Sequence, residues 1–211
     1  MPTSTAISAQ GSSFYIAGTD GASITITAIT KATAAVVSAT NTLAVGDSVV
    51  FGTVTNMPEI AGRIGIVTAA TGSSFTVNID SSGFAAAGTA GTAVPKTWTA
   101  VNNCKSYSGF DGQKSEIDVS NMQSAAKEFI PGLEDFGQLT LELDVDNTDA
   151  GQLALRANKS SNVRTYFNLT LPNGKKRVFQ GFVKQVSEQA GVDQVVKASA
   201  VIRITGAVNF G

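Results

Sequence analysis

Histidine is missing from this chain of 211 residues, and cysteine occurs once, at Cys104. Without histidine the commonest general base and metal ligand is gone. A single cysteine excludes an internal disulfide and the cysteine-rich zinc sites; Cys104 reads as a small buried residue. Charged residues make up only 15% and the formal net charge is -1. Nothing therefore steers the whole molecule toward nucleic acid or an anionic membrane. No run approaches the length of a membrane span. The start lacks a basic segment followed by an apolar core, so no secretion signal is expected. Trp98 is the one tryptophan, and its default role is that of a core or interface anchor.

Glycine is abundant at 21 residues, and Ala, Ser, Thr and Val crowd the first half. That mixture belongs to β proteins with many tight turns. Residues 1–10 are small and polar and read as a flexible arm. Ser12 to Gly18 reads as a first strand, closed by the turn Thr19-Asp20-Gly21. From Ala22 the texture becomes one of short strands: 23–30, 34–39, 48–54, 63–69 and 75–79. Pro58 bars its loop from a central ladder, and Thr71-Gly72-Ser73 suits a hairpin turn. A loose connector from Ser81 to Gly91 leads to Pro95. The change of composition at both ends marks a small inserted unit.

The remainder is more sharply patterned. Ser115 to Ser120 alternates, with Ile117 and Val119 on one face. In Asn121–Phe129 the apolar Met122, Ala125, Ala126 and Phe129 recur at spacings of three and four. This predicts a short helix, capped by Ser120 or Asn121 and stopped by Pro131 and Gly132. The strand that follows is the cleanest alternation in the chain. Leu139, Leu141, Leu143 and Val145 share one face, and Glu142, Asp144 and Asp146 the other. Paired acids can run glycoside hydrolysis when one is raised in pKa. Carboxylates two apart on an open strand are instead a solvated face, so neither catalysis nor a metal site is expected.

Asp149 to Ala157 reads as a second helix with Asp149 near its cap. Val163 to Leu171 is a strand, Pro172-Asn173-Gly174 a hairpin turn, and 177–187 and 194–205 are long strands. Lys175, Lys176 and Arg177 form one basic patch at the hairpin tip, which suits solubility or an acidic neighbour better than nucleic acid. No cofactor site is read anywhere.

Taken together, Ile117-Asp118-Val119, the run AAKEFIPGL from Ala125 to Leu133, Gly137 and the strand LTLEL resemble the major tail tube proteins of long-tailed, non-contractile bacteriophages. The resemblance covers Ser12 to Gly18 and about Thr97 to Phe210. It implies an antiparallel β-sandwich with a flanking short α-helix. It also implies hexameric rings stacked into a hollow tube that encloses the tape measure protein and lets DNA through without specific binding. Tail terminator and distal tail proteins are the further partners, with assembly in the host bacterial cytoplasm and no membrane binding. On that reading residues 1–21 are the arm and first strand, 22–94 an inserted small β-barrel that decorates the tube, and 95–211 the main tube domain. Phe129, Ile130, Pro131, Gly132 and Leu133 are the expected intersubunit contact. Glu142, Asp144 and Asp146 are expected to face the lumen. The rival reading is a β-rich adhesin or carbohydrate-binding module.

Overall fold

The structure is a computed structural model that describes residues 7–211. The arm expected at 1–10 falls partly outside the described residues; residues 7–10 are exposed. In chain order the strands begin β1 (Ser13–Asp20), β2 (Ile24–Ile26), β3 (Ala28–Ile29), β4 (Ala35–Ser38), β5 (Ser48–Thr55), β6 (Ile64–Thr71), β7 (Ser74–Val77) and β8 (Ala90–Val101). They continue as β9 (Cys104–Gly109), β10 (Gln113–Asp118), β11 (Phe129–Asp135) and β12 (Gln138–Asp144). The helix α1 (Ala150–Ser161) precedes β13 (Thr165–Thr170), β14 (Lys176–Gln189) and β15 (Lys197–Phe210). The chain forms two compact units. One holds the described residues up to Thr99 with Asn168–Val178 and Asn209–Gly211; the other holds Ala100–Phe167 and Phe179–Val208.

In the first unit the neighbours run β3-β4-β7-β6-β5-β8-β1, with β2 beside β8. Alternation drives this arrangement. Val37 faces Phe75 across β4 and β7, and Phe51 faces Ala93 across β5 and β8. Their inward side chains join Ile26, Ile29, Val49, Val54, Met57, Ile60 and Val77 in one buried cluster. The expected barrel insert is not what forms. Among the described residues the named strands run in an open order starting at β3, and the isolated bridge between Ile29 and Gly88, ahead of β8, is a single pair that closes no sheet. The segment read as one strand over 23–30 breaks at Thr27, leaving β2 to pair with β8 and β3 with β4. Pieces of three and two residues are too short to carry a closing seam. The fold class is therefore mostly β, with extensive antiparallel sheet and one flanking α-helix, rather than a sandwich carrying a barrel.

In the second unit β14, β15, β12 and β9 lie side by side. Leu139 pairs Ile202, Leu141 pairs Ala200, and Leu143 pairs Ala198, and all six are buried. Leu155 of α1 and the rings of Phe167 and Phe179, stacked with centroids 5.6 Å apart, are buried in the same unit. The helix read from Asp149 onward runs to Ser161. Asp149 caps it by accepting the Gln152 amide at 2.8 Å, and Asn162 ends it in the left-handed conformation at φ 55°.

The helix expected over 121–129 does not form. Met122 is fully exposed, and the segment between β10 and β11 is a loop held by its own polar side chains. Asn121 Oδ1 accepts the Gln123 amide, Ser124 Oγ the Asn121 amide, and Ser120 Oγ the Glu128 amide. These local bonds offer the backbone an alternative to the helical ladder. Phe129 to Leu133 accordingly belong to a strand, β11, not to a helix end and reversal. Pro131 stands in it opposite Glu116, beside a register shift in β10, where a missing N–H is tolerated.

Candidate assembly surface

Among the described residues β10 and β11 pair only with each other, in the register Ile117 to Ile130 and Asp118 to Phe129. Every residue of β10 is exposed. On β11, Phe129 and Ile130 are half exposed and Leu133 is 89% exposed. Side chains alternate along a strand, so Phe129, Pro131 and Leu133 lie on one face while Ile130 and Ile117 lie on the other. Both faces thus expose large apolar side chains, interleaved with Glu116 and Asp118 on the first and with Lys114 and Glu134 on the second. Four of the five residues read from the sequence as a contact patch are thus large and solvent-facing. The fifth, Gly132, is required by crowding: a Cβ there would come within 2.3 Å of Ser115 Oγ.

The base of this ribbon is rigidly built. Gly137 sits at φ 72°, and a Cβ there would strike Asp111 Oδ1. Asp111 Oδ1 accepts the Gln138 amide at 3.0 Å, and Asp135 Oδ1 accepts the Gly137 amide at 2.8 Å. Arg203 closes an ion pair with Asp135. The Gly137 amide first, then Arg203, hold the Asp135 carboxyl below its usual range. A groove of about 480 Å³ lies here, lined by Lys114, Leu133, Gln138 and Arg203 among others.

The acidic row resolves into two settings. Glu142 and Asp144 stand on the outer face of β12 and are compensated by neighbours: Glu142 accepts from Ser199 Oγ at 2.7 Å, and Asp144 pairs with Lys105 Nζ at 2.8 Å. Lys197 is the cross-strand partner of Asp144. Asp146 is not on that strand, which ends at Asp144. It accepts from the hydroxyl and amide of Thr148, which hold its carboxyl low and shape the turn into α1. The basic tip is likewise engaged. Lys176 Nζ donates to Gly46 O, and the Arg177 guanidinium lies 5.8 Å from the Phe210 ring centre.

Behind β12 is a buried polar cluster that the sequence reading missed apart from Asp149. Asp149 Oδ2 accepts from Asn102 Nδ2 at 2.6 Å. Gln152 Nε2 donates to Asn102 O and Asp144 O, and its Oε1 accepts the Asp146 amide. The spacing Asp149-Ala150-Gly151-Gln152 has the form of a capping box and was the available signal. Cys104 lies alongside. Its residue surface is exposed, yet its sulfur turns inward and donates to Val101 O at 3.4 Å. Burial of the thiol, and then the Asp149 carboxylate, push its pKa up to about 11. The folded subunit should therefore react with iodoacetamide at pH 8 about a hundredfold more slowly than a free thiol, and normally once unfolded in urea. Because the shift is upward, the stability it contributes is complete below the ordinary value near 9 and disappears as pH rises toward 11. Equal rates for folded and unfolded protein at pH 8 would contradict this placement.

No group of three or more Cys, Asp or Glu side chains placed to hold a metal occurs among the described residues. No helix among them is long and apolar enough to cross a membrane. Residues 84–178, which contain the whole exposed ribbon but not Arg203 at its base, match the family described as phage tail tube, TTP, lambda-like. The chain is a phage-tail structural protein. It is tail-tube-like, and its role is structural rather than catalytic. Residues 22–83 lie outside the matched span. This tail-tube-like chain is also similar to a chain in a cryo-EM structure of the anti-feeding prophage (AFP) baseplate, 6-fold symmetrised. That match has 13% identity and a TM-score of 0.42, and covers 55% of this chain and 83% of the other. No curated protein matches it.

Proposed function

We propose that this tail-tube-like protein is the major tail tube subunit of a long-tailed, non-contractile phage. Six copies form a ring, and rings stack into a hollow tube that encloses the tape measure protein and conducts DNA during infection. The observation that carries this reading is the β10–β11 ribbon. Two-stranded ribbons are marginal in water, and one that exposes large apolar side chains on both faces is stabilised by cover from a neighbour. Phe129, Ile130, Pro131 and Leu133 supply that contact, with Gly132 permitting the close strand approach. β9 supports ring closure, because it ends the strand order and its outer edge is open to a neighbouring strand.

Glu142 and Asp144 then face the lumen, with Asp146 at the strand's end. Their bonds to Ser199 and Lys105 give a polar wall that stays weakly acidic, along which phosphates slide without binding. Residues 22–94 are the inserted, decorating part, and tail terminator and distal tail proteins close the two ends. Assembly takes place in the host bacterial cytoplasm. Negative-stain microscopy of purified, concentrated protein is expected to show six-fold rings and hollow tubes. A population of monomers or compact trimers alone would favour the adhesin reading instead.

A further inference from the structure

The first unit contains a tie between segments remote in sequence that neither the fold class nor the tube reading requires. The lobe formed by residues 22–94 leaves and re-enters the chain at one place, where the Gly21 amide bonds Pro95 O at 2.9 Å and Lys96 pairs with Asp20 at 2.6 Å. β5 of the lobe also pairs β8 there, at Pro95 and Lys96, but all these contacts lie along one strand, about which a lobe held nowhere else can pivot. At a second place the lobe is gripped by the end of β15 and the start of β14. Asn209 Nδ2 donates to Ile64 O at 2.8 Å and to Asn78 Oδ1 at 3.1 Å. Asn78 Nδ2 returns bonds to Asn209 Oδ1 and to Phe210 O, while Asn78 Oδ1 also accepts the Ile66 amide at 2.8 Å. The Gly211 amide bonds Lys176 O at 2.8 Å, and Lys176 Nζ reaches Gly46 O.

We propose that Asn209 and Lys176 form a strap that fixes the orientation of the 22–94 lobe within its unit. The geometry is that of two separated attachments, which removes the pivot left by one. The amide pair between Asn78 and Asn209 uses donors and acceptors on both side chains and carries no charge, so this part of the strap is insensitive to salt. The strap itself stands without the tube reading. Its consequence, that every copy in a tube presents the same lobe face outward, rests on that reading.

The test uses spin labels at Thr33→Cys and Asn173→Cys, both exposed and both in the first unit, in a Cys104→Ser background. Pulsed electron resonance on unassembled full-length protein should give one narrow distance distribution. In the Asn209→Ala, Lys176→Met variant the distribution should broaden about twofold, since lobe pivoting then occurs freely. Asn209→Ser alone serves if that double variant fails to fold, and should broaden it less. Hydrogen exchange at Phe75 and Val77, in the lobe core, should stay unchanged. An equally narrow distribution in a variant of unchanged circular dichroism overturns the strap. So does accelerated exchange at Phe75 and Val77, which would mean the residues merely stabilise the lobe. Neither readout involves tubes, so failure of the strap and failure of the tail-tube reading are separable.

Discussion

Gly151→Ala destabilises the second unit by about 3–5 kcal/mol, the reverse of what alanine ordinarily does in a helix. At an unhindered helical site alanine gains up to about 1 kcal/mol over glycine. Gly151 lies in the first turn of α1, where the helix crosses the backbone at the end of β8. An added Cβ would lie 2.1 Å from Ala100 O and 2.7 Å from both Ala100 C and Val101 Cα. These are main-chain atoms and cannot rotate aside, so the helix must lift. Overpacking of this kind costs about 1–3 kcal/mol. Lifting also stretches the bonds from Asp149 to Asn102 and from Gln152 to Asn102 O and Asp144 O, and a buried polar group left unpaired costs about 1–3 kcal/mol more. Thermal unfolding should shift down by roughly 10–20 °C. Gly174→Ala is the contrast. Gly174 has φ 80° and nothing within 4 Å of a Cβ, so only the left-handed conformation opposes it, at about 1–2 kcal/mol. An unchanged or raised midpoint for Gly151→Ala would show that α1 does not seat on that backbone.

The contrast between these glycines also shows what a sequence can and cannot disclose. Alternation made β12 and β15 legible, because one buried face writes itself into every second residue: Leu139, Leu141 and Leu143 against Ala198, Ala200 and Ile202. The N-cap at Asp149 was equally local. Gly151 and Asn158 gave no such signal, since what fixes them is a partner elsewhere in the chain: Ala100 for the first, the Val183 amide at 2.9 Å for the second. The stretch 121–129 misled for a physical reason. Its apolar spacing is helical, but periodicity stabilises a helix only where a core receives the face, and here Met122 meets solvent while Ser120, Asn121 and Ser124 bond the backbone into a loop. The stretch Phe129 to Leu133, expected to be a contact patch, was misread in its shape. A strand exposes alternate side chains on two faces, whereas a helix end would have exposed one. The contacts of Lys176 and Arg177 were not legible, because a side chain's reach to Gly46 or Phe210 leaves no trace in local composition.

That two-faced ribbon carries the largest effect on assembly. Leu133→Asp leaves the isolated subunit within about 0.5 kcal/mol of its original stability, because Leu133 is 89% exposed and touches no core. On the proposed tube reading the same position lies against a neighbour and is dry. A carboxylate there must give up its water without a partner, and even ordinary truncation of a central apolar contact costs about 2 kcal/mol or more. At about 1.4 kcal/mol per tenfold, the concentration needed for tube formation rises by at least about thirtyfold. Light scattering of a concentration series, checked by microscopy, measures this directly. Phe129→Ala, at a half-exposed position on the same face, should raise the threshold by less. Val45→Asp is the control: Val45 is 68% exposed but lies in the 22–94 lobe, away from β11 in the chain, and its threshold should not move. Arg203→Ala separates the ribbon's own apolar contact from its aim, since it removes only the ion pair to Asp135 at the ribbon base. Tubes should still form, at a threshold between those of Val45→Asp and Leu133→Asp. If Leu133→Asp assembles at the original concentration, the ribbon is not the contact and the case for a tube loses its main physical support.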